Sequence, residues 1–354
     1  MNFSEKLIDW FEKNKRDLPW RNTKNPYFIW LSEIILQQTR VEQGLPYYLK
    51  FIKNFPTVQK LSAANEEKVL KLWQGLGYYT RARNLHHTAK YIAESLSGKF
   101  PNRHEDILKL KGIGKYTAAA IASFAFDLPH AVVDGNVKRV LSRIFGISEA
   151  NSPKAENKFY EIAGKLMDKK NPSAFNQAIM EFGAVHCTPQ NPQCEICIFK
   201  NDCAAFKLNR VLDFPAKSKK IKQRNRFFYY LIIENKNKIF IRKRTENDIW
   251  KNLYEFPKIE SERKLIWAEI FKLKEWRTVF RKQKIQFISL SKKYKHILSH
   301  QKIFAQFLKI KITEKQKNNF PKSFWEIKKS ALKNYPVPRL MERFLEDEIN
   351  EKKH

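Results

Sequence analysis

Residues 28–41, FIWLSEIILQQTRV, place one carboxylic acid, Glu33, inside an apolar stripe with helical spacing. Phe28, Ile29, Trp30, Leu31, Ile34, Ile35, Leu36 and Val41 make up the stripe. Apolar surroundings penalise the charged form of a carboxyl and raise its pKa. An acid in that position is suited to staying protonated and donating a proton; the plainer expectation is a helix edge where Glu33 just reaches water. A second acid, Asp134, precedes a helical pattern in VDGNVKRVLSR (133–143). Alone it reads as the cap of a helix starting near Asn136.

Two further motifs bear on chemistry. CTPQNPQCEICIFKNDC carries Cys187, Cys194, Cys197 and Cys203 at the spacing C-x6-C-x2-C-x5-C. Four thiolates in so short a loop can close on one metal centre, and zinc or a [4Fe–4S] cluster satisfies them equally. Their confinement to one loop argues for a reducing, intracellular compartment rather than a scattered disulfide framework. LKLKGIGKYTAAAIASFAF (108–126) reads as helix, G-I-G turn, helix. Gly112 and Gly114 permit a tight turn whose N–H groups face outward beside a helix N-terminus, a geometry that grips a phosphate without reading sequence.

The elements that must position these residues fall into two textures. Apolar residues recur at three- and four-residue steps in 3–13, 28–41, 66–73, 82–96, 104–110, 115–126, 136–145, 155–167 and 172–186, which predicts an all-helical region over 1–206. Residues 207–226, KLNRVLDFPAKSKKIKQRNR, are basic and aperiodic and are expected to be a linker. From 227 to 354 the pattern is α+β: RFFYYLIIENKNKIFIRKR predicts a hairpin, 285–312 two or three more strands, and 261–273 and 337–349 helices. The 354 residues carry 68 Lys+Arg against 36 Asp+Glu, a net charge of +32. Residues 1–206 contribute +9 and 207–354 contribute +23. Such an excess points to a polyanionic partner, nucleic acid above all. No segment is apolar for long enough to span a membrane, and the N-terminus lacks the apolar centre of a signal peptide. A cytoplasmic, nucleoid-associated location is expected.

The hairpin, the acid before a helix and the four-cysteine loop together resemble the helix-hairpin-helix (endonuclease III) superfamily of DNA glycosylases. Within it, DLPWR (17–21), WLSEIILQQTRV (30–41), GLGYYTRARNL (75–85), GIGKYTAAA (112–120), VDGNVKRVLSR and the cysteine loop are similar to MutY-type adenine DNA glycosylases. The resemblance implies a [4Fe–4S] cluster on Cys187, Cys194, Cys197 and Cys203. It implies that Glu33 protonates adenine and that Asp134 meets the cationic sugar, the two-carboxylate logic of glycoside cleavage. Tyr116 and Asn136 would orient the reacting groups. Arg16, Leu18, Trp20 and Gln177 would line the adenine site, and Gln38 and Tyr78 would enter the duplex beside the partner base. Tyr116 stands where a lyase of this superfamily carries its nucleophilic lysine; Lys115 is one residue early and turned to another helix face. That argues for a monofunctional enzyme using water. An endonuclease III-like lyase and a catalytically inert iron–sulfur DNA-binding protein are the alternatives.

LIIENKNKIFIRKRTENDIWKNLYEFP resembles the opening of a Nudix-like fold, but KIESERKLIWAEIFKL lacks the glycine and the acidic order of a magnesium-binding Nudix helix. Nucleotide hydrolysis is therefore not expected. In MutY-type relatives this domain checks the base opposite adenine. Leu298, Ser299 and His300 in HILSH (296–300) match the positions that contact 8-oxoguanine, with Leu298 where many relatives have Phe. The expected architecture is multidomain: an all-α helix-hairpin-helix glycosylase region with a cluster loop, then a C-terminal α+β Nudix-like domain. The expected partner is duplex DNA with A:8-oxoguanine or A:G mispairs, bound by a monomer.

Overall fold

The computed structural model describes residues 2–150, 152–216, 223–280, 283–313 and 320–351. It divides into two units, Met1–Ala63 with Asn84–Lys219, and Ala64–Arg83 with Lys220–His354. The division does not follow chain order: one short N-terminal segment groups with the C-terminal half.

The helices up to the cysteine loop are α1 (Phe3–Asn14), α2 (Pro26–Leu36), α3 (Val41–Asn54), α4 (Val58–Ser62), α5 (Glu66–Trp73), α6 (Thr80–Ser95), α7 (His104–Leu108), α8 (Lys115–Phe126), α9 (Gly135–Phe145), α10 (Pro153–Leu166) and α11 (Pro172–Val185), with α12 (Ala204–Lys207) after the loop. Their starts follow local chemistry. Asn2 and Glu5 form a reciprocal capping box on α1, while Pro26, Pro153 and Pro172 open α2, α10 and α11. Asp134 caps α9 and Gly146 ends it at φ +66°.

One predicted helix is corrected. The apolar stripe of 28–41 is not continuous: α2 stops at Leu36, Gln38 takes φ +53°, and a new helix begins at Val41. Ile34 and Val41, seven residues apart, keep helical spacing across the break, which hides it from pattern reading. The helix that follows carries Gly44 and Pro46, ordinary breakers. Gly44 is buried against α2: a Cβ at this position would lie 2.6 Å from Leu36 Cδ2, the tip of a side chain that would have to shift.

α2 is buried almost throughout, with Trp30, Leu31 and Ile35 fully covered. A second core joins α1, α9, α10 and α11 to the cysteine loop through Leu7, Phe11, Leu141, Phe159, Phe182, Phe199 and Cys203. Phe214 is buried in the same core, and β1 begins at Arg224. The ordered elements therefore reach into both ends of the stretch predicted as a linker; its residues 217–222 lie outside the described residues.

The second unit holds one mixed sheet. Its strands are β1 (Arg224–Asn235), β2 (Lys238–Lys243), β3 (Tyr254–Glu255), β4 (Lys258–Ser261), β5 (Ile285–Leu290), β6 (Tyr294–Ile297), β7 (Gln301–Ile312) and β8 (Phe324–Lys328). The predicted hairpin is β1–β2, closed at Asn235↔Lys238. β1 also runs parallel to β7 in unbroken register from Arg224↔Gln301 to Glu234↔Lys311. The helices α13 (Trp267–Ile270) and α14 (Lys274–Phe280) cover one face through Ile270, Trp276 and Phe280, and α15 (Arg339–Glu351) contributes Phe344, stacked on Phe307 at 4.0 Å. Among the described residues no helix is long and apolar enough to cross a membrane.

Candidate active site

Glu33 sits on α2, which packs against α8. Its side chain is 7% exposed. The neighbouring helix supplies its partner: Tyr116 Oη donates to Glu33 Oε2 at 2.8 Å. Burial pushes the Glu33 carboxyl up to about 7, further aided by the charge of Asp134 and partly opposed by the tyrosine hydroxyl. Tyr116 is itself shifted well above the ordinary phenol range by burial and by the two nearby carboxyls.

Asp134 reaches the same region from the start of α9. Its Oδ1 accepts from the Val137 N–H at 2.8 Å and its Oδ2 from Asn136 Nδ2 at 2.9 Å. Burial raises its pKa, and these donors counter the rise by stabilising the anion. The capping role read from sequence and the position beside Glu33 are therefore both occupied by one side chain. Asn136 is fixed in turn by Arg139, whose Nη2 donates to Asn136 Oδ1 at 2.9 Å and to the Gly183 carbonyl at 2.6 Å. At Gly183 a Cβ would come within 2.7 Å of Asn136 Cβ, so α9 and α11 touch there backbone to backbone.

The remaining residues of the predicted adenine pocket are divided between two cavities of the first unit. A cavity of about 90 Å³ is lined by Trp20, Ser32, Glu33, Ser173, Gln177 and Met180, among others. A larger cleft of about 700 Å³ takes in Arg16, Leu18 and Gln177 and shares Arg21, Lys24 and Ser173 with the first. Gln177 Nε2 donates to Ser173 Oγ at 3.1 Å. Arg16 is not a loose cation: its Nε and Nη2 donate to Glu181 at 2.8 and 2.7 Å, and Arg21 Nη2 adds a third bond at 2.7 Å. Glu181 is 1% exposed and these two guanidinium groups hold its carboxyl down to about 2 against the effect of burial.

The hairpin is built as its glycines require. Gly112 takes φ +82°, and a Cβ there would lie 2.6 Å from Asn84 Cβ. Gly114 is the residue before α8, is exposed, and has open space around its Cα. Lys115 Nζ lies 3.9 Å from the centre of the Tyr160 ring. Gln38 is exposed in the turn after α2.

All four cysteines are free thiols in one loop. Burial raises Cys194, Cys197 and Cys203, Cys197 to about 11, and the charge of Cys187 raises all three further. Arg143 on α9, 2% exposed, donates from Nη1 to Cys187 Sγ at 3.3 Å and to the Thr188 carbonyl at 2.7 Å. The Phe199 N–H donates to Cys197 Sγ at 3.4 Å. A buried cation and an N–H aimed at sulfur fit a thiolate-bound, negatively charged centre. Among the described residues no three such side chains stand close enough for a single ion.

In the second unit, Leu298, Ser299 and His300 form the tight turn between β6 and β7, with Ser299 and His300 exposed. The turn is pinned by Leu298 N–H to the Gln301 carbonyl at 2.9 Å and by Gln223 Nε2 to the Leu298 carbonyl at 2.9 Å. Tyr78 belongs to this unit too: it takes φ +47°, is 52% exposed, and its Oη lies 3.1 Å from Ser299 Oγ.

Glu181, Arg139, Arg143 and Ser173 are site residues that sequence reasoning missed. Arg139 and Arg143 lie one turn apart on α9, in VKRVLSR, but apart from Asn136 their partners are 44 or more residues away. The signal that existed was a charged residue on an otherwise apolar helix face, as for Glu33.

These features define a DNA glycosylase of the helix-hairpin-helix class. Residues 31–165 match the HhH-GPD superfamily base excision DNA repair proteins, residues 187–203 the iron–sulfur binding domain of endonuclease III, and residues 228–347 the NUDIX domain. The chain is 37% identical over 355 residues to the adenine DNA glycosylase of Buchnera aphidicola subsp. Schizaphis graminum, covering 97% of this chain and 98% of that one. It is 39% identical to the adenine DNA glycosylase of Arabidopsis thaliana over 72% of this chain and 46% of that protein. A thermostable thymine-DNA glycosylase structure aligns with a TM-score of 0.55 and 30% identity, covering 58% of this chain and 95% of the other. A non-covalent endonuclease III–DNA complex shares the fold at a TM-score of 0.51 and 22% identity, over 58% of this chain and 94% of that one.

The chain belongs to the adenine DNA glycosylases. It is thus a DNA-binding enzyme of base-excision repair, and the choice left open by the cysteine chemistry falls to a [4Fe–4S] cluster.

Proposed function

We propose that this enzyme removes adenine mispaired with 8-oxoguanine or guanine from duplex DNA, as a monomeric, monofunctional glycosylase using water. The observation that carries the chemistry is a buried carboxyl, Glu33, raised to about 7 and hydrogen-bonded to Tyr116. A carboxyl with that pKa is still partly protonated near neutrality, the condition for general acid catalysis. An adenine extruded from the stack enters the cavity that Glu33 lines. Glu33 donates its proton to N7. The C1′–N9 bond then breaks, its electron pair leaves with the base, and the sugar becomes cationic. Asp134, kept anionic by the Val137 N–H and Asn136, stabilises that cation. Water adds at C1′ and its proton returns to Glu33, restoring the acid.

The position of Lys115 over Tyr160, with Tyr116 on Glu33, supports a water-using route over an amine nucleophile. Cys187, Cys194, Cys197 and Cys203 would hold the [4Fe–4S] cluster, which would tie the four thiolates of the loop together. Arg139 touches both ends of this arrangement, Asn136 and the Cys187 carbonyl, and so positions Asn136 relative to the loop. In the second unit, the exposed Ser299 and His300 would contact the base opposite adenine.

The test is excision on defined duplexes carrying A:8-oxoguanine, A:G or A:T, read with and without alkali. The expected result is strand scission only after alkali, in the order A:8-oxoguanine, A:G, A:T. Ser299→Ala/His300→Ala should narrow the gap between the first two. Scission without alkali would overturn the monofunctional mechanism, and equal rates on A:G and A:T would overturn the mispair assignment.

A further inference from the structure

Two acids open α5. First-turn acids usually need no explanation beyond the helix dipole. Here they do something else as well. Glu67 accepts a short hydrogen bond from the Tyr254 hydroxyl on β3 and pairs with Lys243 Nζ on β2 at 2.9 Å. Glu66 Oε1 accepts from Asn252 Nδ2 at 2.6 Å, and Asn252 sits at φ +66° in the turn between those strands. The rest of the segment is tied in the same manner. Lys71 Nζ donates to the Tyr335 carbonyl at 3.1 Å, Gln74 Nε2 to Glu342 Oε1 at 2.8 Å, and Arg83 Nη1 to the Lys251 carbonyl at 2.9 Å. The segment 64–83 is thus fastened at its start, middle and end within the second unit.

What the fastening presents is Tyr78. The turn that carries it is conformationally demanding: Gly75, Gly77 and Tyr78 take φ of +100°, +74° and +47°. A left-handed tyrosine is costly unless its surroundings impose it. Trp73, fully buried, donates from Nε1 to the Gly77 carbonyl at 3.0 Å, and the Arg81 guanidinium lies over both the Trp73 and Tyr78 rings. The result is an exposed aromatic ring whose hydroxyl is 3.1 Å from Ser299 Oγ.

We infer that Glu67 and Tyr254 are positioning residues for lesion discrimination: they clip the segment bearing Tyr78 to the sheet bearing Ser299, so that the two probe the DNA as one rigid piece. Neither clip residue touches DNA in this reading. The inference rests on the assignment of Ser299 and His300 to the base opposite adenine.

The test uses the full-length, cluster-loaded enzyme and two substitutions, Glu67→Gln and Tyr254→Phe. Tyr254→Phe removes one hydroxyl and keeps the ring packed on Tyr335, so it should fold even if the other does not. Single-turnover rates are measured on A:8-oxoguanine and A:G duplexes beside Ser299→Ala/His300→Ala. The expected outcome is a loss of preference of roughly two- to thirtyfold, the range for couplings carried through packed contacts, with the A:G rate nearly unchanged. A purely stabilising role would lower the melting temperature and leave the ratio alone, and that result overturns the inference. If the clip variants keep the ratio while Ser299→Ala/His300→Ala lowers it, the clip fails and the loop assignment stands. If none of the three changes it, the loop assignment falls and the clip with it.

Discussion

Tyr116→Phe isolates one hydrogen bond. The Tyr116 hydroxyl donates to Glu33 Oε2 at 2.8 Å in a buried site. A donor of this kind favours the carboxylate over the acid, so it holds the Glu33 pKa down; burial and Asp134 push it up to about 7. Deleting the hydroxyl removes the restraining influence alone. Hydrogen bonds to charged groups contribute about 1.5–3 kcal/mol, of which part persists toward the neutral acid. A difference of about 1.4 kcal/mol moves a pKa by about one unit. Glu33 in the variant should therefore titrate near 8. The protonated form is the one that can donate to adenine, so activity falls as pH rises through the Glu33 pKa. The alkaline limb of the profile should then shift upward by about one unit, although the plateau drops because Tyr116 no longer orients the acid. The assay is adenine release at subsaturating enzyme from about pH 5 to about pH 9.5, since that regime reports groups in the free enzyme. An alkaline limb that stays in place, or moves to lower pH, would refute both the proton-donor role and the direction of the restraint.

Two other expectations concern the same site. Glu33→Gln should be inactive in adenine release yet more stable than the parent at high pH. Raising a buried acid from its ordinary 4.5 to about 7 costs nothing below the lower value and costs about 3 kcal/mol above the upper one. Denaturant midpoints at about pH 8 and about pH 4 should show the gain at the first and not at the second; an equal gain at both would place its cause elsewhere. Gly183→Ala forces a methyl group to within 2.7 Å of Asn136 Cβ, which should destabilise the unit by about 1–3 kcal/mol and slow excision by displacing Asn136. A wild-type rate in single-turnover excision would show that the α9–α11 approach has no bearing on catalysis.

The sequence was most informative where chemistry and local pattern coincide. Glu33 stood out because a carboxylate in an apolar helical stripe is locally anomalous, and the structure buries it as that anomaly suggests. Gly112 and the cysteine spacing are likewise short-range signals. The break at Gln38 was hidden because the seven-residue spacing of Ile34 and Val41 continues across it, and α3 because Gly44 and Pro46 are breakers by type, although Gly44 is buried against α2 and Pro46 is exposed within the helix. The hairpin at Asn235–Lys238 was legible from its turn, whereas the parallel pairing of β1 with β7 was not: it joins Arg224 to Gln301 with no local mark in either strand. Glu181 and its two arginines lie at opposite ends of the first unit's sequence, and the grouping of 64–83 with the sheet depends on side chains such as Glu67 whose local role is already satisfied. What sequence conceals is the second partner of a residue that already has an adequate first one.

The first unit holds three buried carboxyls with three different electrostatic fates, and their partners decide which is which. Glu181 faces two guanidinium groups, which outweigh burial and take it to about 2. Asp134 accepts from an N–H and an amide, with the Arg139 charge adding to them at longer range; these moderate the rise that burial imposes and stabilise the anion. Glu33 receives a single hydroxyl, too little to offset an apolar site with a second carboxyl nearby, and it rises to about 7. The ordering could not be obtained by changing residue types alone, since Glu33 and Glu181 are the same amino acid. It also constrains what can be altered: moving one arginine's charge toward Glu33 would lower its pKa and leave it ionised at neutrality, an anion with no proton to give. The pairing of Arg16 and Arg21 with Glu181, rather than with the acid beside Tyr116, is thus a condition for proton donation, as much as the burial of Glu33 is.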